Sequence, residues 1–163
     1  MELADFTVRL AEERDVAAVH RLVRAAYQEL ADMGLNFTGT YQDEATTRAR
    51  MEGVDVFLVC EGDRVVATVS LGLDDSTREP PALYVTQLAV LPALKRRGIG
   101  RALLRLASEK ARERNIPCLR LDTAIPATHL VDLYKSEGYV VIDEVQWERK
   151  TYRSCIMEKR CLM

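Results

Sequence analysis

The segment from Ala82 to Asp122 constrains the fold more than any other. Ala82 to Leu91 is an apolar, strand-like run, followed by the turn Lys95-Arg96-Arg97-Gly98-Ile99-Gly100. Ile99, Ala102, Leu103 and Leu106 then mark an amphipathic helix, and Cys118 to Asp122 is a short strand after the stop signals Asn115 and Pro117. A strand, a helix and a second strand in this order are predicted to form a parallel pair with a right-handed crossover. The chain must therefore build a sheet with helices packed on it, and the glycine turn must sit at the end of a central strand.

The other elements arrange themselves around this unit. Phe6 to Leu10 is predicted as a first strand. Asp15 is predicted as the N-cap of a helix with Val16, Val19, Val23, Ala26, Tyr27 and Leu30 on one face and Gly34 as its stop. Residues 35–41 form a loop rich in aromatic and hydroxyl groups, and a polar helix covers about 43–51. Val56–Cys60 and Arg64–Leu71 flank the turn Glu61-Gly62-Asp63, which predicts a hairpin. Leu130, Leu133 and Tyr134 open a short helix stopped by Gly138, and Tyr139–Val145 and Tyr152–Glu158 read as two antiparallel strands. The expected class is α/β: a mixed, mostly antiparallel sheet of six to seven strands flanked by about four helices. No linker or repeat divides the chain, so residues 1–163 are expected to form a single domain.

Composition narrows the function. With a net charge of -2, nothing calls for nucleic acid, and any basic site must be local. No apolar run is long enough to span a membrane, and the start MELADFTVRLAEERD lacks the basic and apolar regions of a signal peptide. Cys60, Cys118, Cys155 and Cys161 form no CxxC pair, and with only His20 and His129 to join them no metal site is expected. They read as buried, reduced thiols, which places the chain in the cytoplasm.

The glycine turn is the strongest chemical signal. A helix N-terminus carries unpaired N–H groups and about half a positive charge. Glycines allow close backbone approach and positive φ, so successive amides can wrap an anion such as a pyrophosphate without a metal. Glycines and cations alone fit a solvated helix start equally well. A P-loop would need Gly-Lys-Ser/Thr, whereas Gly100 is followed by Arg101-Ala102. A dinucleotide fingerprint would need a third glycine near the first strand.

The segment LAVLPALKRRGIGRALL resembles motif A of the GCN5-related N-acetyltransferases, whose signature Gln/Arg-x-x-Gly-x-Gly/Ala is matched by Lys95, Gly98 and Gly100. LDT and LYKSEGY are similar to motif B, and the resemblance spans nearly the whole chain. It implies that Leu88, Ala89 and Val90 pair through their backbone with a pantetheine arm. It also implies that the turn Lys95, Arg96, Arg97, Gly98, Ile99, Gly100 and Arg101 holds the pyrophosphate of acetyl-coenzyme A, a co-substrate used without a metal. Lys95 departs from the usual Gln or Arg, losing the fork geometry but keeping the charge. The family's frequent asparagine seven residues before the tyrosine is Ala127 here.

Direct transfer to an amine needs two groups. A lysine-like ammonium, with a pKa of about 10.4, must lose a proton, and the departing thiolate must be stabilised. The resemblance gives Tyr134 as the thiolate partner. Full proton transfer from a phenol to a thiolate is uphill by roughly 2 kcal/mol, so a hydrogen bond is the expected form of help. Asp122, at the end of its strand, matches the position of a proposed base, acting through water. Glu79 and His129 are alternative bases, and each of these residues also has a plain packing or capping reading. The acceptor end is expected along Asn36, Phe37, Tyr41 and Thr86, with Tyr27, Thr38, Ser70 and Tyr152 nearby. The expected function is an acetyl-coenzyme A-dependent N-acetyltransferase acting on a primary amine of a small molecule or peptide. The alternative is a non-catalytic acyl-coenzyme A binding module. A homodimer through the final strands is compatible with either.

Overall fold

A computed structural model describes residues 5–162. Residues 1–4, part of the start read above as no signal peptide, and Met163 lie outside the described residues. Seven strands form one sheet in the order β1-β2-β3-β4-β5-β7-β6. They are β1 (Thr7–Leu10), β2 (Asp55–Glu61), β3 (Arg64–Leu73), β4 (Ala82–Val90), β5 (Cys118–Ala124), β6 (Val140–Val145) and β7 (Ser154–Arg160). Helices α1 (Val16–Asp32), α2 (Glu44–Met51), α3 (Ile99–Glu113) and α4 (Thr128–Ser136) complete the fold. The expected class and element order hold, and the predicted parallel pairing is there: β4 and β5 are parallel, and every other pair is antiparallel. Among the described residues no helix is long and apolar enough to cross a membrane, and no three or more His, Cys, Asp or Glu side chains cluster as metal ligands would.

Alternation in the strands buries both faces of the sheet. Val56, Leu58 and Cys60 of β2 meet Val19, Leu22, Val23 and Ala26 of α1. Phe57 and Val59, with Leu83, Val85, Leu119 and Leu121, meet Ile99, Leu103, Leu104 and Ala107 of α3 on the other side. All four cysteines are buried and unpaired.

Two expectations need correction. Asp15 precedes α1 but makes no side-chain cap to it. Its carboxylate instead takes the Glu12 amide at 2.7 Å and both guanidinium nitrogens of Arg9 at 2.8 Å, because a short 3-10 turn over Glu13–Asp15 points it backwards. Asp122 does not end its strand either. β7 continues to pair beyond it, so β5 runs to Ala124, with Asp122 opposite Ile156.

Arg120 is the largest fully buried side chain. It bonds Asp74 at 2.9 Å, Glu158 at 2.8 Å and the Pro80 carbonyl at 2.6 Å, tying the 74–81 loop to β5 and β7. Burial opposes ionisation of Asp74, but the Ser76 amide, Arg120 and the Ser76 hydroxyl prevail and hold its carboxyl below the usual value. Its stabilising contribution is therefore present above the unfolded carboxyl pKa, near 3.9, and is lost as pH falls through the folded value. Arg120→Met roughly keeps the volume but leaves Asp74 without its cation and Glu158 with only the exposed Arg160. We expect a loss of about 3–5 kcal/mol by urea unfolding at neutral pH, with a smaller gap from wild type at pH 3.

Candidate active site

β4 and β5 pair only through Ala82, Leu83 and Tyr84 with Cys118, Leu119 and Arg120. Beyond Tyr84 they separate. A cavity of about 870 Å3 opens between them, reaching from the glycine turn past Asp122 and Tyr134 to the loop after α1. A bulge in β4 shapes its wall. Thr68 pairs with Ala89 but Ser70 with Thr86, so β4 carries one extra residue, and Gln87 takes a left-handed φ of 50°. The Leu88 carbonyl accepts the Tyr27 hydroxyl at 3.2 Å.

The turn before α3 is built from left-handed backbone at Arg96, φ 67°, and Gly98, φ 82°. Among the described residues the amides from Arg96 to Arg101 have no acceptor, and pairing begins with Ala102, whose amide reaches the Gly98 carbonyl at 3.0 Å. A Cβ on Gly100 would meet nothing nearer than Val90, at 3.9 Å. The turn is thus a row of free donors with open space before it, the form an anion site takes. Two of its four side-chain cations are engaged elsewhere. Lys95 bonds Glu29 at 2.8 Å, Arg101 bonds Ser136 at 2.6 Å and Glu137 at 3.0 Å, and Arg97 does not line the cavity. Arg96 stays at the rim.

Tyr134 is buried from α4 and packs edge-on against Tyr139, with ring centroids 5.9 Å apart. Its hydroxyl has no partner among the described residues, and burial pushes the phenol well above its usual pKa, with Tyr27, Tyr139 and Asp122 adding to it. Asp122 accepts a hydrogen bond from the Tyr84 hydroxyl, and burial together with the Asp122 charge pushes that phenol up as well. Asp122, Thr86 and Trp147 also line a second cavity of about 560 Å3, so the carboxylate stands where the two spaces meet. Glu79 is exposed and lines neither cavity. His129 lies on the wall, 3.5 Å from Glu29, which also holds Lys95.

The expected acceptor residues divide. Phe37 and Thr86 line the cavity. Phe37 stacks on Tyr152 at 5.0 Å and meets the Tyr27 ring edge-on at 5.9 Å. Asn36 does not face the cavity: its side chain donates to the Arg149 carbonyl at 2.7 Å and accepts the Thr151 amide at 2.8 Å, joining the loop after α1 to the loop before β7. Tyr41 is exposed at the edge, where it accepts a hydrogen bond from Lys150 at 3.2 Å. Ser70 is buried in β3 and off the wall. Sequence reasoning missed Arg50, Gln87 and Lys150, all on the cavity wall.

The profile of the acetyltransferase (GNAT) family matches residues 16–139. The chain belongs to the acetyltransferase (GNAT) family. The S-alkylcysteine N-acetyltransferase of Bacillus subtilis (strain 168) is 26% identical over 147 residues, covering 87% of this chain and 83% of that one. Among solved structures, the ribosomal-protein-S18-alanine N-acetyltransferase from Escherichia coli superposes with a TM-score of 0.77 at 19% identity, over 97% of this chain and 95% of that one. A GNAT acetyltransferase from Elizabethkingia anophelis with acetyl-CoA bound gives 0.69 at 14% identity, over 96% and 99%. The chain is therefore an N-acetyltransferase, and it shares its fold with a structure that holds acetyl-coenzyme A.

In this GNAT chain Tyr27 is the support of the bulged wall, and Gly39 makes room for it. A methyl group on Gly39 would fall 2.6 Å from the Tyr27 ring. Gly39→Ala is expected to lower the stability by about 1–3 kcal/mol through overpacking, measured by thermal unfolding.

Proposed function

We propose that this N-acetyltransferase takes acetyl-coenzyme A as its donor in the large cavity and transfers the acetyl group directly to a primary amine beside Asp122. The observation that carries this reading is the turn from Arg96 to Arg101, with its free amides and the uncovered Gly100. Those amides suit a pyrophosphate. The β5-facing edge of β4 beyond Tyr84 has no strand partner, which favours pairing of Leu88, Ala89 and Val90 with the pantetheine arm.

The chemistry then follows from Asp122 and Tyr134. Asp122, oriented by the Tyr84 hydroxyl, takes the proton of the acceptor ammonium directly or through water. The free amine attacks the thioester carbonyl, an N–C bond forms, the C–S bond breaks, and the second proton, shed by the acylated nitrogen, passes to the leaving thiolate, which departs as the thiol. Tyr134 remains protonated because of its burial and donates a hydrogen bond to the departing thiolate. The catalytic unit is a single domain comprising all the described elements. Its buried, unpaired cysteines suit a reducing, cytoplasmic setting.

Two variants test this reading. Gly100→Ala lies in the first turn of α3, where alanine is favoured over glycine by up to about 1 kcal/mol, so the fold should hold. Its methyl fills the space before the amides, and calorimetry should show acetyl-coenzyme A binding weakened about tenfold or more; unchanged affinity would mean that the pyrophosphate lies elsewhere. Tyr134→Phe should cut kcat by about 10–100-fold, the scale of one hydrogen bond to a charged group. Activity within about twofold of wild type would remove Tyr134 from the mechanism.

A further inference from the structure

Arg50 and Lys150 bring two positive charges to the acceptor end of the large cavity, and neither has a carboxylate partner among the described residues. Lys150 bonds only neutral oxygens: the Asn36 carbonyl at 3.0 Å, Thr38 Oγ1 at 3.1 Å and the Tyr41 hydroxyl at 3.2 Å. Arg50 bonds the side-chain oxygen of Gln42 at 2.8 Å. That contact fixes more than Arg50. Because a guanidinium only donates, Gln42 must turn its Oε1 toward it, leaving its Nε2 to donate to Thr47 at 2.8 Å and to Gln87 Oε1 at 3.0 Å. Gln87 is thereby oriented too; the residue lines the cavity, and its own Nε2 is buried behind that wall without a partner. Gln87 is 4% exposed, so this unused donor has no access to bulk water and is costly to leave unmet.

Arg50, Lys150 and Gln87 Nε2 all donate and none accepts, so the ligand group that satisfies them is an anion. Asp122 is the opposite pole. Burial pushes the Tyr27 phenol up to about 12, with Arg50 lowering it and Asp122 raising it, so both charges act on the same hydroxyl from this cavity. In the second cavity three carboxylates are already paired, Asp74 with Arg120, Asp143 with Arg78 and Glu144 with Arg153, which leaves Asp75 and Asp122.

We propose that the acceptor is an amine that carries its own carboxylate, an amino acid, with the carboxylate bound by Arg50, Lys150 and Gln87 and the amine directed to Asp122. This rests on the acyl-transfer reading above and specifies its acceptor. A protein N-terminus, whose carboxylate is remote, is disfavoured.

The test compares apolar α-amino acids and γ-aminobutyrate, each with its own primary amide, together with a short peptide. Coenzyme A release is followed for every acceptor, and binding of the N-acetylated products and their amides is measured in the presence of coenzyme A. The best free acid should exceed its amide by about 10–100-fold in kcat/KM, the scale of one or two charge-assisted hydrogen bonds. The comparison is conservative, because the α-amide's amine is the weaker base and more of it is free at neutral pH. Arg50→Gln and Lys150→Met should each bring that ratio toward one, acting through KM. Equal turnover of acid and amide, or of the peptide, would overturn the carboxylate site while leaving the transferase intact. If no amine releases coenzyme A but N-acetylamino acids bind better than their amides, the carboxylate site stands and the catalytic reading falls. If neither the acids nor their N-acetyl products are preferred over the amides, the carboxylate site is wrong.

Discussion

The parting of β4 from β5 is the constraint on which the rest of the molecule depends. Two neighbouring parallel strands that stop pairing expose backbone donors and acceptors that need other partners. The structure meets this by giving each strand one complete neighbour on its outer side. β5 pairs with β7 over its whole length, from Cys118 with Arg160 to Ala124 with Ser154. β4 stays on β3 by way of a bulge, and Tyr27 supplies a hydroxyl to the Leu88 carbonyl. Leu103 and Leu104 of α3, in one cluster with Leu83 of β4 and Leu119 of β5, hold the base of the opening together.

The cations of the glycine turn illustrate a division of labour. Positive side chains at the start of a helix oppose its dipole. Here Lys95 is neutralised by Glu29 of α1, and Arg101 by Glu137 just past α4. The charged side chains therefore fasten the turn to two helices, and the backbone amides are left to face an anion. This is why a lysine in place of an arginine or glutamine at position 95 fits the site: its task is one ion pair, which needs no fork.

The legible parts of the sequence were those with a local signal. The glycines, cations and helix stripe of 95–106 are contiguous, and Tyr134 stands at a fixed spacing in its own helix, so turn and tyrosine could both be read. The parallel crossover and the hairpins could be read, but not the insertion of β7 between β5 and β6. Strand ends could not be read with the same precision, because only pairing with β7 carries β5 past Asp122. Asn36 was recognisable as a polar loop residue, but its partners lie more than a hundred positions away, at 149 and 151. Arg50, Gln87 and Lys150 belong to a polar helix, an apolar strand and a charged loop. No pattern within any one segment marks them, because they share a wall only after the sheet has formed.

The junction of Asn36 with Arg149 and Thr151 bears on how the wall at the acceptor end can vary. The loop after α1 and the loop before β7 share no strand pairing. They are held by the Asn36 bonds, the Lys150 bonds, the Thr151 hydroxyl on the Gly34 carbonyl at 2.7 Å and the Phe37–Tyr152 stack. Each neutral bond in such a seam is worth only about 1 kcal/mol net, far less than unpacking a helix from the sheet. The seam is therefore a boundary of the chamber made by loop side chains alone, so a few substitutions there can reshape the acceptor wall while the sheet and the donor half stay as they are.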